Sequence, residues 1–295
     1  MKKLALLFLI FTVLVMSGCS GDSKGSGAKK INVLASIYPV YEFSRAVAGD
    51  RLNVELITPP GVEAHDWEPT AKDIKKITSS ELVLYNGGGM EHWVESVKKN
   101  LSGKGDDIFV EVGKNLFVTR MNHADPHIWL NPLLAAKQVE IIKNAYIKLD
   151  PDGRDVYEKN AGKYIDELKQ LDKEYRALAE KSKGKPFITM HAAFGYMADE
   201  YGWEQISLVG LAPHAEPGPA QMARIMRRAL EKEVRYIFVE PDVDDKIMLE
   251  VAKEAGVGIL KLDTVESVSK NKNDDYLKRM KSNLANLQKS FTGEK

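Results

Sequence analysis

One cysteine, Cys19, is all the thiol chemistry the 295 residues offer, and it lies in an N-terminal segment. Disulfide bonds, cysteine-ligated metal sites and thiol nucleophiles are therefore excluded from the body of the chain. Charge of either sign is not in excess: 42 Lys and Arg balance 42 Asp and Glu. Residues 31–295 hold 37 basic and 41 acidic residues, a net of −4. That mild acidity argues against nucleic acid as a partner. After residue 16 no apolar run is long enough to span a bilayer. Any metal bound by the body must then be held by His, Asp and Glu.

The N-terminus carries an address. Lys2 and Lys3 precede an apolar run over 4–16, and Ser17 and Gly18 lead into Cys19. A basic start, a short apolar stretch and a small-residue cleavage site make a secretory signal. With Cys19 directly after the small residues it resembles a lipoprotein signal, which implies cleavage after residue 18 and a lipid on Cys19. Met16 stands where such signals usually have Leu. The competing reading is an ordinary signal with an incidental cysteine. Residues 19–30, rich in Gly, Ser and Lys, read as a flexible tether. The expected location is extracytoplasmic, on the periplasmic or outer face of a cell membrane.

Beyond the tether, strand and helix signals alternate. Apolar, β-branched segments at 31–37, 52–58, 81–85, 108–112 and 116–119 predict strands of a first α/β lobe, 31–150. Thr70 and Asp73 suit a capping box, and Asn131 followed by Pro132 suits the start of a helix. From 151 to 184 the pattern changes. Tyr157, Ala161, Tyr164, Leu168, Leu171, Tyr175 and Leu178 recur at steps of three and four, predicting one linking helix of about thirty residues, roughly 45 Å long. Alternation resumes over 185–295, with strands at 186–190, 205–209, 235–239 and 258–262. The expected fold is α/β: two lobes, each a parallel sheet flanked by helices, joined by one long helix.

Three histidines and one aspartate fall just after predicted strands. His65 follows the second strand, His127 lies in Asp125-Pro126-His127-Ile128-Trp129, His191 follows the strand at 186–190, and Asp263 ends the strand at 258–262. Open α/β sheets place their ligand crevice at that end. A cleft between the lobes would set two imidazoles against one imidazole and one carboxylate, a set suited to a borderline divalent cation. Taken singly each is as well read as a packed or surface residue, and spacing alone does not decide.

The His-x-x-x-Pro loop at His65, the Asp-Pro-His-x-Trp-x-x-Pro segment at His127, the His-x-Ala-Phe-x-Tyr segment at His191 and the Glu-Pro at Glu240 resemble the zinc and manganese binding lipoproteins of bacterial ABC importers, the ZnuA/TroA-like family. The resemblance spans the mature chain. It implies that His65, His127, His191 and Asp263 are the metal ligands and that the long middle helix is the family's backbone. It also implies a monomer that captures Zn²⁺, alternatively Mn²⁺, as transported cargo and delivers it to a membrane ABC permease, without catalysis. Manganese members commonly carry Glu at the position of His191. Asn131 stands where Asp is common and Trp67 where Tyr or Phe is common. The long His-rich loop of many zinc members is absent, with only His123 near its position. Glu240 and Asp242 are candidate supporting acceptors, His214 a candidate for the cleft mouth, and His92 a surface residue. Trp67 and Trp129 read as packing around the site.

Two other functions are compatible with parts of the sequence. A zinc-dependent hydrolase needs an open coordination position and a general base. Glu63, Glu68 or Glu240 could serve as that base, yet no His-Glu-x-x-His signature is present. A surface adhesin is compatible with the lipid anchor and does not compete with transport.

Overall fold

A computed structural model describes residues 30–101, 105–213, 217–241, 246–271 and 273–293. Cys19, His214 and Asp242, singled out above, lie outside the described residues. The first half runs β1 (Asn32–Ala35), α1 (Tyr38–Ala48), β2 (Asn53–Leu56), α2 (Ala71–Ser79), β3 (Leu82–Tyr85), α3 (Val94–Asn100), α4 (Gly105–Ile108) and β4 (Phe109–Glu111). A hairpin of β5 (Thr119–Arg120) and β6 (His123–Ala124), a 3₁₀ turn (Ile128–Leu130) and α5 (Pro132–Leu149) follow. A second 3₁₀ turn (Pro151–Gly153) leads into α6 (Arg154–Ser182). The second half is β7 (Pro186–Thr189), α7 (Gly195–Tyr201), β8 (Glu204–Ser207), α8 (Pro219–Glu231), β9 (Tyr236–Val239), α9 (Lys246–Ala255), β10 (Gly258–Lys261) and α10 (Tyr276–Thr292).

Each half builds a four-stranded parallel sheet, in the order β2-β1-β3-β4 and β8-β7-β9-β10. The two orders are the same: second, first, third, fourth. A parallel sheet covered on both faces needs strands that are apolar throughout, which β3 meets with four buried residues, Leu-Val-Leu-Tyr. The expected α/β fold with two sheets is observed.

The helix boundaries follow local chemistry. The Thr70 hydroxyl accepts from Asp73 N, and the Asp73 carboxylate accepts from Thr70 N, closing the capping box of α2. Asn131 Oδ1 accepts from Leu133 N and Leu134 N at 2.8 and 3.1 Å, and Pro132 sets the first turn of α5. Such a cap contributes about 1 kcal/mol. It fixes the helix that begins five residues after His127.

α6 spans 29 residues. Its buried stripe is Tyr157, Ala161, Ile165, Leu168, Leu171, Tyr175 and Leu178, with Ile165 filling the core and Tyr164 only half-buried beside it. That stripe packs on α1 and α5 from the first half and on α7 and α10 from the second. Tyr175 Oη donates to Met280 O at 2.8 Å. One apolar core therefore runs through both halves, from Val33 and Phe43 through Trp129 and Leu168 to Phe187, Phe238 and Leu287.

The strand expected at 116–119 is not formed. The chain there enters the β5–β6 hairpin, whose two turn residues, Met121 and Asn122, have φ of 50° and 67°. Positive φ at both central positions is what a tight hairpin needs, and glycine usually supplies it. Arg-Met-Asn-His has no glycine, so the turn was not legible. Among the described residues no helix is long and apolar enough to cross a membrane.

Candidate metal centre

His65, His127, His191 and Glu266 converge, each offering one ligand atom with all four atoms within 4.8 Å of one another. All four side chains are buried. Each arrives from a segment beyond the carboxyl end of a strand. His65 lies in the loop from β2 to α2, and His127 opens the 3₁₀ turn after the hairpin. His191 is two residues past β7, and Glu266 is five past β10.

The internal spacings suit a small tetrahedral cation. His127 Nε2 is 3.3 Å from His65 Nε2 and 3.3 Å from Glu266 Oε1. Glu266 Oε1 lies 3.6 Å from His191 Nε2 and 3.9 Å from His65 Nε2. A tetrahedron with bonds of about 2.0–2.1 Å has edges of roughly 3.3–3.4 Å, so a modest contraction around zinc closes this set. Among the described residues, His191 Nε2 and Glu266 Oε1 are buried without a hydrogen-bond partner. Orphaned buried polar atoms are costly, and a cation between them removes that cost.

Outer partners orient the rings. His127 Nδ1 lies 2.8 Å from Asp125 Oδ1, which also accepts from the His127 backbone N–H. A buried carboxylate accepts, so Nδ1 carries a proton and Nε2 is the nitrogen turned toward the centre, where a cation would displace its proton. Asp125 is held in turn by Arg120 Nε at 2.9 Å. Glu240 Oε1 does the same for His191 Nδ1, at 2.8 Å. Glu240 is thus a support for His191, as the sequence suggested it could be.

Asp263, expected as the fourth ligand, is not in the cluster. Its two carboxylate oxygens accept from Arg279 Nε and Nη2 at 2.7 and 2.6 Å, and Oδ1 also accepts from Val265 N. Both oxygens of that carboxylate are so engaged, and Glu266, three residues on, takes the place expected for it. Asp263 is the first acid after the strand, and position alone favours it over Glu266. The signal that could have moved it on is Arg279 with Asn283 one turn apart on the next helix, ready to engage a strand-end aspartate. His123 and His92 are exposed and outside the cluster. Trp129 is fully buried and donates from Nε1 to Thr264 O at 2.7 Å, while Trp67 packs on Trp93.

Electrostatics follow from the burial. Glu266 is penalised by burial, but the three facing imidazoles outweigh it and hold its carboxyl well below the usual range. Burial opposes charge on His191, yet the Glu240 and Glu266 carboxylates prevail and push its pKa up to about 10. His127 is raised in the same manner, with Asp125 and Glu266 overcoming burial. Burial raises Glu63, helped by the neighbouring Glu266 and Glu240 charges. Glu63, Glu240 and Glu266 share a cavity of about 470 Å³ between the loops.

A pH dependence follows for the metal-free protein. His191, raised above its ordinary 6.5, contributes stability that is complete below pH 6.5 and is lost as pH climbs toward about 10. Glu266 acts oppositely, its contribution holding above 4.5 and fading as pH falls through its depressed value. The melting temperature with chelator present should therefore fall between pH 6.5 and about 10, and fall less in His191→Ala. Equal slopes in the two proteins would contradict this assignment. Cation binding displaces the same protons, so affinity should weaken on acidification, with release around pH 4–5.5.

The family model described as zinc-uptake complex component A, periplasmic (ZnuA), matches residues 33–290. The chain is 38% identical to the high-affinity zinc uptake system protein ZnuA of Bacillus subtilis (strain 168), covering 98% of both chains. It is 35% identical to the zinc-binding lipoprotein AdcA of Streptococcus pneumoniae (strain ATCC BAA-255 / R6), covering 100% of this chain and 62% of AdcA. Among solved structures, the Zn(II)-bound ZnuA-like domain of Streptococcus pneumoniae AdcA superposes with a TM-score of 0.79 at 34% identity, over 89% of this chain and 99% of that one.

Proposed function

Because this chain belongs to the ZnuA family of zinc-uptake components, we propose that it captures Zn²⁺ outside the cytoplasm and delivers it to a membrane ABC permease. The cation would be held by His65, His127, His191 and Glu266 as cargo. One observation carries the reading: three buried imidazoles and one buried carboxylate face a common point, with His191 Nε2 and Glu266 Oε1 lacking a hydrogen-bond partner among the described residues. Four protein donors favour a closed holding site over a hydrolytic one, which keeps a position open for water or substrate. Two of the three acids weighed as a general base fit that view. Glu240 is engaged by His191, and Glu68 is exposed. We take the protein to be a monomer without catalytic activity, tethered through lipid on Cys19.

The test is zinc accumulation by cells grown in chelator. Loss of the protein should lower it, the wild-type chain should restore it, and His191→Ala should not. Full restoration by His191→Ala would defeat the proposal.

A further inference from the structure

The segment 263–267 is tied down at almost every residue. Asp263 N donates to Asn283 Oδ1, and Asn283 Nδ2 donates to Asp263 O, both at 2.7 Å. Thr264 O accepts from the Trp129 indole, and Tyr38 N donates to Glu266 O at 3.3 Å. Val265 sits fully buried at φ 58°. A β-branched residue in the left-handed region is a true outlier that persists only where its surroundings over-determine it. That turn is what carries the Glu266 carboxylate past the strand end and into the cluster.

One side chain brackets the whole segment. Arg279 is 7% exposed. It places Nε and Nη2 on the Asp263 carboxylate before Glu266 and Nη1 on Ser267 O after it, the last at 2.6 Å. Its Cζ lies 5.0 Å from the centroid of the Tyr38 ring, and Tyr38 is the residue whose N–H holds Glu266 O. A guanidinium has donors in a rigid fork that reach both ends of such a loop at once, and an ammonium does not.

We propose that Arg279 is a positioning residue for the metal centre: it clasps both ends of the 263–267 turn and thereby fixes the Glu266 carboxylate against the three imidazoles, without itself touching the cation. Asp263 acts in this device as the anchor of the turn. The inference rests on the reading that Glu266 holds zinc.

A double-mutant cycle tests it, with zinc affinity measured by competition against a chromophoric chelator. Arg279→Lys should weaken zinc binding about 10–100-fold, the range for losing an outer-shell partner. In a Glu266→Gln background the same change should cost less than about threefold, because the group it positions is gone. Co²⁺ substitution gives a second readout, in which Arg279→Lys should shift the ligand-field spectrum toward that of Glu266→Gln. If Arg279→Lys does not fold, Asp263→Asn replaces it in the same cycle. Unchanged affinity in the single variant, or an equal loss in both backgrounds, overturns the inference. Wild-type affinity in Glu266→Gln alone would instead defeat the zinc-ligand reading beneath it.

Discussion

Replacing His127 by Ala should lower zinc affinity by well over the 10–100-fold that removal of a mere supporting partner costs. Three effects combine at this position. The cluster loses the imidazole nitrogen that sits 3.3 Å from both His65 Nε2 and Glu266 Oε1. The fully buried Asp125 carboxylate loses the ring it orients and keeps Arg120 as its charged partner. Beside Trp129, a hole opens where a buried ring had been, its centroid 5.4 Å from that of the indole. Glu266→Gln should show a comparable loss with less damage to packing, since volume is kept and only the anionic donor is removed. Titration against a chromophoric chelator measures both. Wild-type affinity in either variant would remove that residue from the site.

Zinc should outcompete manganese at equal free concentration near neutral pH by about tenfold or more in affinity, a difference of at least about 1.4 kcal/mol. Three nitrogens and one carboxylate suit Zn²⁺ in four-coordinate geometry, while Mn²⁺ favours oxygen donors and more of them. The Irving–Williams order points the same way for a nitrogen-rich set. Glu266 offers one orphaned oxygen to the cluster, which limits the oxygen count further. Competition dialysis followed by elemental analysis reads the outcome. Equal occupancy, or manganese in excess, would overturn the selectivity and leave cation capture standing.

The sequence disclosed the framework because the framework is repetitive physics. Apolar four-residue strands, the capping box at Thr70 and the seven-residue stripe of α6 each carry a local period or a local hydrogen bond. The three histidines stood at strand ends, which open onto the crevice, but it was the family resemblance that singled them out. The fourth donor was not. Which of two acids three residues apart enters the site is decided by Arg279 and Asn283 on α10, by the Trp129 indole and by a left-handed Val265. The contacts are long-range and the Val265 turn is a backbone conformation, and neither leaves a period in the chain. The β5–β6 hairpin escaped for a different reason, its turn being built on Met121 and Asn122 with no glycine to mark it.

X-ray absorption at the zinc edge of the zinc-loaded protein tests the central claim most directly. Four nitrogen and oxygen donors at about 2.0–2.1 Å, with outer-shell scattering from three imidazoles, are the predicted result. Fewer than three imidazoles, or a six-coordinate shell of oxygen, would contradict it.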